Sequence, residues 1–152
     1  VGAYDGFLDY AIIMGYDYHW KTSADAGPVA PLYGSAKWGS RLSVHCSVTN
    51  YLGKGLRAGK LLLANPYYGY EWPAASATPG AATTGSGTAV LYPSAKNNAA
   101  TYGRLWNADG SAPYYVYTNA SAIIRQCCYD DADNLGLKYD HVNAYNIARM
   151  AV

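Results

Sequence analysis

Leu8–Trp20, reading LDYAIIMGYDYHW, is the stretch whose reading decides the fold. Ala11, Ile12, Ile13 and Met14 form a short apolar run bounded by Gly6 and Gly15. A run of that length without polar alternation suits a strand buried on both faces, as in a parallel sheet. Tyr16 to Trp20 then fall at the strand's C-terminal end, where barrels and open α/β folds place their ligand sites. A phenol, a carboxylate and an indole so close together suit a sugar or small-molecule platform. Packing tyrosines and a turn-capping Asp17 account for the same residues equally well.

Lys21–Ser40 is rich in Gly, Pro, Ser and Ala and reads as a loop, long enough to carry function. Val44, Val48, Tyr51 and Leu52 share the i, i+4, i+7, i+8 face of a helix, with Ser43 as N-cap and Gly53 and Gly55 at its end. His45 lies beside that face and reads as a packed or surface histidine rather than a ligand. A second apolar run, Lys60–Asn65 (KLLLAN), leads into Pro66–Pro73 (PYYGYEWP). Strand, loop, helix and strand make a βαβ unit with parallel strands. Both strands end in aromatic clusters, and in a parallel sheet those ends lie on one side, so the clusters face one cleft.

Ala74–Ala89 is a low-complexity Ala/Thr/Gly/Ser segment that reads as a flexible excursion. Ala89–Tyr129 reads as a small, mostly β insertion, with strong β character at Tyr114–Tyr117 and Ile123–Tyr129. Turn residues punctuate it, among them Asn97-Asn98 and Asp109-Gly110. Asp130, Asp131 and Asp133 open a helix whose apolar face would be Leu135, Tyr139 and Val142. Asn146–Val152 begins a third strand. These runs divide the chain into 1–73, with two strands and the intervening helix; 74–129, the insertion; and 130–152, a last helix and the start of a final strand.

With 152 residues, one domain is the expectation. Lys and Arg number 11 against 10 Asp and Glu, with no basic stripe, which argues against nucleic acid as a partner. Only 14% of residues are charged, against roughly 25% in an average domain, so much of the surface is neutral polar, Tyr, Gly and Ala. The 17 tyrosines against one Phe favour carbohydrate surfaces or wet interfaces, though Tyr also fills amphipathic core edges. Cys46, Cys127 and Cys128 lack zinc spacing and read as buried free thiols, one disulfide among them remaining open. Asp130, Asp131 and Asp133 lack the glycine turn and terminal glutamate of an EF-hand loop, so no metal and no cofactor are expected. No run reaches the 18 or so apolar residues of a membrane span. The N-terminus, VGAYDGF, is neither a Met start nor a signal peptide and looks cut from something longer. Asn119-Ala-Ser121 matches an N-glycosylation acceptor, a triplet that also arises by chance.

Met14-Gly15-Tyr16-Asp17 resembles the M-x-Y-D motif that ends the sixth barrel strand of glycoside hydrolase family 18, the chitinase-type fold. Leu61–Tyr70 (LLLANPYYGY) is similar to that family's seventh strand, L-x-L-G-x-P-F/Y-Y-G-R, and the segment after it resembles the family's α+β insertion. Tyr129-Asp130-Asp131 followed by Leu135–Lys138 looks like its Y-D-D-x-x-S-x-x-x-K approach to the last strand. The resemblance implies a partial (β/α)8 TIM barrel, about the last three βα units, with a small α+β insertion.

It further implies an enzyme segment acting on N-acetylglucosamine-containing polysaccharide, chitin or peptidoglycan, by a retaining, substrate-assisted mechanism. Tyr16 would bond the N-acetyl oxygen and Asp17 would contact the same sugar, both in supporting catalytic roles. Met14 would join the substrate-binding set, and Tyr68, Trp20 and Trp72 would line the subsites. The family signature D-x-x-D-x-D-x-E is absent, and the single glutamate, Glu71, follows the seventh-strand motif, a poor position for a general acid. An eightfold barrel takes about 250 residues, so the chain is expected to need the barrel's N-terminal half and to be inactive alone. The other reading is a non-catalytic, lectin-like carbohydrate-binding module on the same fold. Family habit places such proteins outside the cell or in its envelope.

Overall fold

The structure, a computed structural model, describes residues 2–151. Short 3-10 turns occur at Gly2–Tyr4 and Ala58–Lys60. The first apolar run is strand β1 (Ala11–Met14), followed by helix α1 (Val44–Gly53) and strand β2 (Leu61–Ala64). Next come β3 (Tyr68–Pro73), β4 (Thr88–Leu91), α2 (Tyr92–Tyr102), β5 (Leu105–Asn107), β6 (Ala112–Thr118) and β7 (Ile124–Cys128). The chain closes with α3 (Ala132–Ala144) and β8 (Arg149–Ala151).

The apolar runs form a parallel sheet in the order β1-β2-β8, with Ala11 opposite Leu61 and Leu63 opposite Met150. Helix α1 forms where its apolar spacing places it, and Ser43 caps it by accepting from the Cys46 amide at 3.2 Å. Ile13, Leu61 and Leu63 bury against Val44, Val48, Val142 and Ile147, so one face of the sheet and the helices share a core. The other face is bare: Ile12 is 58% exposed and Met14 69%. Burial on both faces is therefore not realised at Ile12 and Met14 among the described residues.

The second sheet is antiparallel, in the order β4-β3-β7-β6-β5. Its strands alternate cleanly between two cores. Tyr114, Cys128 and Trp72 meet Ala26 and Val29 of the long loop, whereas Tyr115, Cys127 and Tyr129 meet Ala95 and Ala99 of α2. Tyr70 pairs with Cys128 and Glu71 with Cys127, so Tyr68–Pro73 already belongs to this sheet. The insertion's sheet therefore starts ahead of the 73/74 boundary expected from the sequence.

Helix α2 replaces the expected turn at Asn97-Asn98. The segment 74–89 is tied down rather than loose, through bridges Ala74↔Thr83 and Asp25↔Ala82 and the bond from the Ala26 amide to the Ala81 carbonyl at 2.9 Å. Asp131 caps α3 in a reciprocal capping box with Asn134. The buried face of α3 differs from the expected one: Asn134, Lys138, His141 and Val142 point inward, while Tyr139 is 55% exposed. Lys138 donates to Asp130, whose other oxygen accepts from Asn134 Nδ2 at 2.8 Å, so the buried charges are paired. All three cysteines are free thiols, and burial pushes Cys127 up to about 12.

Candidate functional site

The site grows from the turn that follows β1. The Gly15 amide donates to the Ala64 carbonyl at 3.0 Å, holding the strand end against β2. A Cβ on Gly15 would lie 2.7 Å from that same carbonyl oxygen, so only glycine fits there. Two residues on, Asp17 has φ 56°, a left-handed conformation that Asp tolerates better than most residues. The kink presents Tyr16 and Asp17 to the start of β3. There the Tyr68 hydroxyl donates to Asp17 Oδ1 at 2.5 Å, and the Tyr16 and Tyr68 rings meet edge to face, centroids 6.4 Å apart. Tyr16 and Asp17 thus meet Tyr68, residues that follow the C-terminal ends of the two parallel strands.

Burial and a neighbouring carboxylate keep Tyr68 a donor. Burial first and the Asp17 carboxylate second raise Tyr68 well above the ordinary phenol range, so its hydroxyl stays protonated. Tyr70, part of the second aromatic cluster but not among the candidate site residues, stands edge-on to Tyr68 at 5.7 Å, and burial followed by Asp17 raises it too. The period-two spacing of Tyr68, Tyr70 and Trp72 was the signal that these rings share one face. Tyr16 has no hydrogen-bond partner for its hydroxyl among the described residues, leaving that donor free for a ligand.

The remaining candidates separate. Met14 lies on the bare inner face of β1, and Trp20 is 55% exposed. Trp72 is corrected: it is fully buried, and its indole N–H donates to the Trp20 carbonyl at 3.1 Å, so no ring face is open to a sugar. Tyr18 turns into the core and bonds Ser47 Oγ at 2.6 Å. His19 is buried on the Pro28 carbonyl at 2.8 Å.

Glu71 points to the α2 side of the antiparallel sheet. It accepts from Tyr115 at 3.1 Å, Tyr117 at 3.0 Å and Arg125 at 3.1 Å. Both its oxygens are engaged, and it has neither the access nor the freedom of a proton donor. Concave pockets lie elsewhere, one of about 300 Å³ between α2 and the start of α3 and one of about 360 Å³ beside His45 and His141. In the Tyr16–Asp17–Tyr68 cluster Asp17 is exposed and both tyrosines are half-buried. No group of three or more His, Cys, Asp or Glu side chains is set to hold a metal ion among the described residues. No helix there is long and apolar enough to cross a membrane.

Comparison with known proteins places the chain in a family. The profile of the glycosyl hydrolases family 18 matches residues 3–152, and the chain belongs to that family. It is 35% identical to mouse chitotriosidase-1 over 101 residues, 62% of this chain and 22% of that protein. A family 18 chitinase variant from Cycas revoluta, solved with (GlcNAc)4, superposes with a TM-score of 0.84 at 20% identity, over 97% of this chain and 42% of that one. A chitinase-like agglutinin from Robinia pseudoacacia gives 0.80 at 21%, over 98% and 43%. The chain thus spans less than half the length of each of these relatives, and its likeness to the two solved structures is one of fold.

Proposed function

We propose that this chain supplies the sugar-gripping ends of the sixth, seventh and eighth strands of a family 18 barrel. The whole protein would hydrolyse an N-acetylglucosamine-containing polysaccharide of the chitin or peptidoglycan type. The observation that carries the reading is the Tyr16–Asp17–Tyr68 cluster, with an unpaired phenol beside a carboxylate held by a second, firmly protonated phenol.

In the proposed retaining reaction the substrate's acetamido oxygen attacks the anomeric carbon while the glycosidic C–O bond breaks. Tyr16 donates its free hydroxyl to the acetamido oxygen, orienting it and stabilising the cyclic intermediate. Asp17, fixed by Tyr68, accepts from a hydroxyl of the same sugar. Trp20 and Tyr70 border the sugar. The leaving oxygen needs a proton from a carboxylic acid. Glu71, the chain's only glutamate, is committed to Arg125 and two tyrosines. The reading therefore assigns the acid to a glutamate on another part of the barrel, and the chain alone binds without turnover. Such substrates lie outside the cytoplasm, so the protein is placed as secreted or in the cell envelope.

A second reading, a lectin-like module, is favoured by the same engagement of Glu71 and by the likeness to the Robinia agglutinin. Calorimetric titration with a chitin oligosaccharide tests the shared core of both. Saturable binding that Tyr16→Phe weakens by about tenfold, the loss of one hydrogen bond, is expected. Binding untouched by Tyr16→Phe would overturn the assignment, and robust hydrolysis by these 152 residues would overturn the missing acid.

A further inference from the structure

The hairpin joining β6 to β7 carries chemistry that the sugar site does not use. Its loop, 119–123, is closed by the paired ends Thr118 and Ile124 and by the Asn119 amide on the Ile123 carbonyl at 3.0 Å. Asn119 organises the turn. Its Oδ1 accepts from the Ser121 amide at 3.0 Å and the Ile123 amide at 2.9 Å, while Ala122 takes a left-handed φ of 58°. With its oxygen bound to the loop, the carboxamide leaves Nδ2 without an acceptor among the described residues. Ala120, Ser121 and Ala122 are exposed around it, and the Ser121 hydroxyl is likewise unbonded among those residues. Of all the chain's asparagines, Asn119 alone heads an Asn-x-Ser/Thr triplet.

We propose that Asn119 is a site of N-linked glycosylation, an inference that rests on the extracytoplasmic location proposed above. Nδ2 attacks the anomeric carbon of the first sugar of a lipid-pyrophosphate-linked oligosaccharide. The new bond is C–N, the sugar's bond to the pyrophosphate oxygen breaks, the pyrophosphate lipid leaves with that electron pair, and Nδ2 loses one proton. The Ser121 hydroxyl is the element by which a transferase recognises the triplet. The glycan would leave the sugar site open. Ile124, at the loop, lies four residues along β7 from Cys128, the partner of Tyr70, a separation of roughly 13 Å on an extended strand.

The test is expression of the chain behind a cleavable signal peptide in a glycosylating eukaryotic cell. Peptide mapping after N-glycosidase treatment in isotopically heavy water then marks each formerly glycosylated Asn as labelled Asp. One labelled position, Asn119, is expected, lost in both Asn119→Gln and Ser121→Ala. Ser121→Ala keeps every hydrogen bond that shapes the loop, so its loss of glycan does not reflect misfolding. An unmodified Asn119 in wild-type chain recovered from the secretory compartments overturns the site. The added signal fixes the location, so this result is distinct from a failure of the proposed location, which only the native setting reports. A change in chitin-oligosaccharide affinity on removing the glycan would overturn its placement away from the cleft.

Discussion

The two sheets meet the need to cover apolar strands in opposite ways. The antiparallel sheet is closed on both faces, by α2 on one and by the 21–40 loop on the other. The parallel sheet is covered by helices on one face and leaves Ile12 and Met14 open on the other. Their carboxylates divide the same way. Glu71 in the closed sheet accepts from three donors, with both oxygens engaged, whereas Asp17 at the open strand end stands in a left-handed turn with one tyrosine partner. A carboxylate whose acceptor positions are filled by the protein serves the fold, and one held by a single neighbour at an exposed strand end is free to serve a ligand.

The largest expected effect sits at α3, in the buried Lys138–Asp130 pair. Lys138→Met removes the cationic partner of buried Asp130, leaving it the Asn134 amide, and should cost about 3–5 kcal/mol, read by urea unfolding. A loss no greater than that of a surface substitution, about 0.5 kcal/mol, would break the view that this pair is held dry. Within the closed sheet, Trp72→Ala should cost about 3–5 kcal/mol as a large buried side chain is removed. Trp20→Ala should instead leave the melting temperature near wild type while weakening oligosaccharide binding. The reverse outcome for the two tryptophans would undo the correction of Trp72.

A smaller effect follows from pH. Burial, and next the neighbouring His45, lowers the pKa of His141, whose Nε2 lies 3.1 Å from His45 Nδ1. Burial also lowers His19, opposed by the Pro28 carbonyl. For a base with a depressed folded pKa, the unfolded chain binds more protons as pH falls below about 6.5. The stability these histidines contribute is thus complete above that pH and is lost progressively below it. Melts from pH 7.5 to 5 should fall for wild type and fall less for His141→Gln. Equal slopes would remove His141 from the explanation.

Legibility in the sequence follows side-chain chemistry. The parallel strands and α1 could be read because continuous apolar runs and i, i+4 spacing report burial directly. Tyr16, Asp17 and Tyr68 could be brought together because parallel strands end on the same side. Helix α2 was hidden because its buried face is only Ala95 and Ala99, and its Asn pair mimics a turn. The inward face of α3 is not legible because Asn134, Lys138 and His141 count as polar, and their partners, Asp130 for the first two and His45 for the third, come from outside the helix. Trp72 is not legible as a buried residue because Tyr68–Pro73 reads as the tail of the preceding apolar run, whereas it is a strand with its own alternation.

The most direct test measures Asp17→Asn and Glu71→Gln side by side for chitin-oligosaccharide affinity and melting temperature. Asn tolerates the left-handed turn at position 17, so that variant isolates the charge. The account predicts that Asp17→Asn weakens binding by about tenfold or more, the loss of a charge-assisted bond, with an unchanged melt. Glu71→Gln should lower the melting temperature and keep the affinity. Affinity lost in Glu71→Gln with its melt intact, and retained in Asp17→Asn, would contradict it.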